Sequence, residues 1–122
     1  MAPRVSQRRP RRHNEKHLQF MRGRPCIICG GSPCDAHHIK FADARVLKPQ
    51  SSNIGMKADD RFTLPLCRRH HEECHRGERK FFESYHTDAV LMALALHSIS
   101  GDAEEADRLI MFAAASRISE AI

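Results

Sequence analysis

Apolar positions along this chain come in short runs set between polar stretches. From Asn14 the order E-K-H-L-Q-F-M-R brings Leu18, Met21 and His17 to one side of a short helix. Asn14 supplies its N-cap and Gly23 its end. Ala36–Ile39 (A-H-H-I) predicts a short strand, and Arg61–Leu66 (R-F-T-L-P-L) a second that stops near Pro65. From Cys67 a polar, charged stretch with Phe81 and Phe82 facing inward predicts one helix through about Ser84. Thr87 caps a further helix, Asp88 to about Ser98, and Gly101 breaks it. Asp102 with Glu105 three residues on resembles a capping box. It opens a last helix striped by Leu109, Ile110, Ala113 and Ile118. The stretch from Lys40 to Asp60, with Pro49, Ser51, Ser52, Asn53 and Gly55, has no period. Its length is that of a functional loop. Ahead of Asn14, Pro3, Pro10 and clustered arginines predict a disordered arm. The fold class is α+β: two short strands with a following helix, flanked by an N-terminal helix and C-terminal helices. The expected organisation is an arm over 1–13, a compact unit over 14–86, and a helical extension over 87–122 packed on it.

Composition limits the core. The chain has 122 residues, 6% aromatic residues and no Trp. A core of that size is commonly supplemented by a metal or a partner subunit. The net charge is +5 and the pI about 9.2. Through Arg24 there are eight basic residues against Glu15 alone, while the remainder holds 12 basic and 14 acidic residues. The excess charge therefore sits in the arm, which suits contact with phosphates and a grip that weakens with salt. No apolar run is long enough to span a bilayer, and no apolar segment follows the basic N-terminus as in a secretory signal. The expected partner is DNA rather than a membrane, and the expected location is the cytoplasm. In a reducing compartment, five cysteines interleaved with histidines read as zinc ligands rather than disulfides.

Two constellations carry chemistry. Cys26-x2-Cys29 and Cys67-x2-His70 are two close pairs of the donors that tetrahedral zinc takes. Together they would clamp two distant segments. Cys34 and Cys74 are spare, and either could stand in for His70. The second constellation is His37-His38 with His71-x3-His75. Residues four apart share a helical face, so His71 and His75 can hold one ion, with His37 as the third ligand from the strand. Three protein ligands leave positions for water and substrate, the mark of a catalytic ion. His38 points to the other side of the strand and is free to act as a base. The adjacent His70 and His71 would then serve different metals. His13, His17, His86 and His97 read as surface or packing residues.

These residues resemble a known family. Cys26-x2-Cys29, Ala36-His37-His38-Ile39 and Leu64-Pro65-Leu66-Cys67-x2-His70-His71-x3-His75 are similar to the zinc-knuckle HNH (His-Me finger) endonucleases. The nearest resemblance is to phage and prophage proteins of the recombination-enhancement type. It runs from about His17 to about Phe82 and takes in His75-Arg76-Gly77-Glu78. It implies a ββα-metal finger, with His38 as general base and His37, His71 and His75 on one divalent ion. It further implies hydrolysis of DNA phosphodiesters to 5′-phosphate and 3′-hydroxyl ends. Histidine ligation suits Mn2+, Ni2+, Co2+ or Zn2+, and cellular abundance favours Mg2+. Two departures stand out. The middle Asn of the HNH name is absent; its place falls near Phe62, with Asp60, Arg61 and Thr63 as neighbours. His70 stands where a knuckle cysteine is commoner. Two other readings compete: a non-catalytic zinc-knuckle DNA-binding protein, and an adaptor that uses the C-terminal helices to pack on a partner or to form a homodimer.

Overall fold

A computed structural model describes residues 14–41, 43–45 and 59–121, with side chains through Arg117. The predicted arm over 1–13 and most of the predicted loop lie outside the described residues. The elements are α1 (Glu15–Arg22), β1 (Cys34–His38), β2 (Thr63–Cys67), α2 (Arg68–His75), α3 (Glu78–Ser84), α4 (Ala89–Ser98) and α5 (Ala103–Ala121). The fold is α+β, with five helices and one two-stranded antiparallel sheet among the described residues.

The sheet pairs Cys34 with Cys67, His37 with Leu64 and His38 with Thr63. Thr63, Leu64, Pro65 and Leu66 are all buried. Side chains alternate between faces along a strand, so both faces of β2 are covered. Helices α1, α2 and α4 contact it. This is why R-F-T-L-P-L lacks apolar–polar alternation. Leu18 and Met21 of α1, Ile39, Phe62, Leu64 and Leu66 of the sheet region, and Phe81 and Phe82 of α3 are buried, as are Val90, Leu96 and Ile110 farther on.

Several expected boundaries shift. β1 begins at Cys34 rather than Ala36, and β2 runs through Pro65 to Cys67 instead of stopping. In a two-stranded sheet each strand is an edge, where proline's missing N–H costs no ladder bond. The Pro65 carbonyl still accepts from Ile27 N at 3.1 Å. The expected single helix over 67–84 is two helices. Arg76 and Gly77 interrupt it after Gly77 N donates to the Cys74 carbonyl. Gly77 N-caps α3 in an extended conformation.

Caps follow the expectation at α1, where Asn14 accepts from His17 N at 3.1 Å. At α4 the cap is Asp88, which accepts from Leu91 N, rather than Thr87, whose hydroxyl donates to the Tyr85 carbonyl. A carboxylate is the stronger acceptor there. Before α5, Asp102 accepts from Glu105 N at 3.1 Å, while the Glu105 carboxylate pairs with Arg108. Half of the expected capping box therefore forms.

His17 is a packing residue. It is buried, with Nδ1 2.8 Å from Ser100 Oγ and its ring edge-on to His97 at 5.0 Å. Its Nε2 has no hydrogen-bond partner among the described residues. Of the large apolar side chains on α4 and α5, Leu91, Met111 and Phe112 are exposed. Among the described residues, no helix is long and apolar enough to cross a membrane.

Candidate metal centres

The segment from Cys26 to Gly31 folds into a tight knuckle. Gly30 N donates to the Cys26 carbonyl at 2.8 Å, and Cys26 N to the Gly31 carbonyl at 2.9 Å. Gly30 sits at φ 77, a left-handed conformation that glycine adopts without cost. Ile28 N and Gly31 N each point at a cysteine sulfur, at 3.4 Å from Cys26 Sγ and Cys29 Sγ. Such N–H groups stabilise thiolates. Across the sheet, Cys67 ends β2 and stands at the N-cap position of α2, with no side-chain cap bond of its own. His70 follows in the first turn.

The donor atoms of Cys26, Cys29, Cys67 and His70 all lie within 4.8 Å of one another. The separations test the fit. With metal–sulfur bonds of about 2.3 Å and metal–nitrogen bonds of about 2.1 Å, tetrahedral neighbours stand about 3.8 Å (S to S), 3.6 Å (S to N) and 3.4 Å (N to N) apart. Cys29 Sγ is 3.8 Å from Cys67 Sγ, and His70 Nδ1 is 3.3 Å from Cys67 Sγ and 3.8 Å from Cys26 Sγ. All five cysteines are free thiols. These four residues could therefore bind a metal ion. Neither spare cysteine belongs to this set, although Cys34 is in hydrogen-bond contact with Cys26. Cys34 donates to the Gly31 carbonyl, and Cys74 lies with His37 and Glu78. A hydrogen bond from Cys34 pulls the Cys26 thiol down to about 4, opposed by burial, while the same contact pushes Cys34 up.

The second set also converges. His37, His71 and His75 place ring nitrogens within 4.8 Å of one another. His37 comes from β1, and the other two from successive turns of α2. Nε2 of His71 and Nε2 of His75 are 3.2 Å apart, close to the tetrahedral nitrogen–nitrogen edge. Burial deepens across the set: His75 is exposed, His71 is half-buried and His37 is buried. The set therefore opens to solvent on the His75 side. Burial is also the main force that lowers the His37 pKa, with Glu78 opposing it. A neutral imidazole is the form that ligates metal.

Carboxylates hold three of the histidines, an arrangement that no motif in the sequence marks. Asp35 Oδ2 lies 2.9 Å from His71 Nδ1, Glu78 Oε2 lies 2.6 Å from His37 Nε2, and Asp60 Oδ1 lies 2.7 Å from His38 Nε2. If Asp35 accepts the His71 Nδ1 proton, the Nε2 lone pair faces His75, the arrangement that orients metal-binding imidazoles. Glu78 also accepts from Lys40 N at 3.1 Å, and the α2–α3 break is what brings it back to the sheet. His38 is not part of the converging set; its ring is part-exposed and held by Asp60.

At the place expected for the HNH Asn, Phe62 is buried and its carbonyl accepts from Ile39 N at 2.9 Å. No solved structure matches this chain. A curated Escherichia coli (strain K12) relative, "Uncharacterized protein YdfU", is 33% identical over 78 residues, 64% of this chain. The chain spans 20% of the length of that relative. The family model described as "Protein of unknown function (DUF968)" matches residues 2–100, and the chain belongs to that family.

Proposed function

We propose that this chain is a metal-dependent endonuclease of the HNH (His-Me finger) kind. In this reading β1, β2 and α2 are a ββα-metal finger whose knuckle carries zinc. The observation that carries it is the convergence of His37, His71 and His75 beside a solvent-open edge, next to a histidine held by a carboxylate. The substrate is a DNA phosphodiester, which the basic arm helps to hold through its phosphates. His38 takes the proton of a water, and the resulting hydroxide attacks phosphorus in line with the leaving 3′ oxygen. A divalent ion on His37, His71 and His75 would supply positive charge where charge builds up on the phosphate. Asp35 and Glu78 keep the two more buried histidines in place. The free cysteines suit a reducing cytoplasm, in a bacterium or a phage-infected host.

Nicking of supercoiled plasmid with Mn2+, with and without EDTA, tests the proposal. Wild type should nick only with metal, and His38→Ala should lose the activity while keeping its fold and its metal. Equal cutting by His38→Ala would overturn the assignment. A second reading has one observation in its favour, the buried Phe62 in place of the HNH Asn. It makes the chain a zinc-knuckle DNA-binding protein without turnover. Salt-dependent DNA binding with no nicking under any divalent ion would decide for it.

A further inference from the structure

Asp60 is completely buried, and both of its carboxylate oxygens are engaged. Oδ1 faces His38 Nε2 at 2.7 Å, and Oδ2 accepts the main-chain N–H of Asn14 at 2.8 Å. The Asp60 carbonyl also accepts from Thr63 Oγ1 at 3.0 Å, which ties the turn before β2 to the strand. A backbone N–H can only donate, so Asn14 fixes one end of the Asp60 side chain as an acceptor. A carboxylate is an acceptor at its other end as well. The imidazole nitrogen it faces must therefore carry the proton.

We infer that Asp60 is the positioning residue of His38. Its carboxylate fixes the ring and keeps the proton on Nε2, leaving the Nδ1 lone pair to accept a proton from water. The inference rests on the reading of His38 as the base and adds what holds it. That role falls to a side chain two residues before Phe62, whose own carbonyl bonds Ile39 N. The same carboxylate joins the base to the N-cap residue of α1, so the chain leading from the basic arm enters the fold at the base's support.

The decisive variant is Asp60→Asn. Its amide oxygen must turn to the Asn14 N–H, because an NH2 group there would set donor against donor. The NH2 group then faces His38 Nε2 and forces the proton onto Nδ1, the atom that should be free. Nitrogen-15 NMR of histidine-labelled protein at about pH 8, above the ordinary histidine range, reads the tautomer directly. Wild type should show His38 as Nε2–H and Asp60→Asn as Nδ1–H. Plasmid nicking with Mn2+ should fall by about 10²-fold or more in kcat, within what a positioned base supplies, with KM, circular dichroism and metal content unchanged.

An Nδ1–H tautomer in wild type overturns the inference, and so does Asp60→Asn with an unchanged tautomer and rate. If Asp60→Asn does not fold, the wild-type spectrum decides. If wild type shows the expected tautomer but nicks with no divalent ion, the nuclease reading fails while Asp60 remains the residue that sets His38.

Discussion

Acid should weaken this fold through one histidine that belongs to neither metal set. Burial pulls the His17 imidazole down to about 4, the nearby His97 adds to the effect, and Asp60 opposes it. In the unfolded chain the same ring titrates near 6.5. Between those values the unfolded state binds the extra proton, so stability is complete above about pH 6.5 and falls as pH drops toward 4. The largest loss is about 2.5 pKa units at about 1.4 kcal/mol each, or about 3 kcal/mol. Against a total of about 5–15 kcal/mol for a domain, that is a large share. The geometry gives the reason: a charged ring would carry an N–H at Nε2, buried and without an acceptor among the described residues.

The perturbation is His17→Gln, which can keep a polar contact to Ser100 and does not titrate. Urea unfolding of both proteins from about pH 7.5 to 4.5 gives the stability difference at each pH. Acid also protonates the metal ligands, but it does so in both proteins, and the difference removes that common loss. Wild type should lose stability relative to His17→Gln by about 1.4 kcal/mol per pH unit through the middle of the window. A difference that stays constant to within about 0.5 kcal/mol would refute the reasoning.

Cys26→Ser should release the knuckle ion and lower the melting temperature by about 10 °C or more, since structural zinc can contribute as much as a small domain's whole stability. Elemental analysis with a thermal scan checks this, and a stable, zinc-replete variant refutes the knuckle. His75→Ala, at the exposed end of its set, should keep the fold and the knuckle ion while losing the second ion; two ions by mass spectrometry would remove His75 from the ligands. His38→Ala should lower nicking by about 10²-fold or more, with unchanged DNA affinity by fluorescence anisotropy. Deleting the residues before Asn14 should weaken DNA binding mostly at low salt and flatten the salt slope by about 0.9 for each phosphate that the arm neutralises; an unchanged slope would leave the arm without a DNA role.

The features legible in the sequence are chiefly local. Cys26 and Cys29 share a knuckle, and His71 and His75 share a helix face, because short spacings fix such geometry. Asn14 and Asp102 cap as their residue types predict. The break at Arg76–Gly77 carries the same glycine signal that ends the helices at Gly23 and Gly101, but the charged run on both sides of Gly77 looks the same in one helix or two. Pro65 reads as the end of a strand because the two-stranded sheet, which tolerates it, is a property of the fold. The carboxylates are the largest part that sequence does not disclose. They lie 22, 36 and 41 residues from the histidines they hold, and no local period links such pairs. In sequence terms Asp60 is only a neighbour of the missing Asn.

The eight residues of α2 with Cys67 before them carry donors for both sets: Cys67 and His70 for one, His71 and His75 for the other. Each residue advances a helix by about 100° and 1.5 Å. Gain of one residue between His70 and His71 would therefore turn His71 and His75 away from His37 while the knuckle kept its grip on the helix start. Length change, more than side-chain change, is what this segment cannot absorb. Among relatives the stretch from Cys67 to His75 should hold a fixed length even where its exposed residues, such as Arg68, Arg69 and Glu72, vary freely.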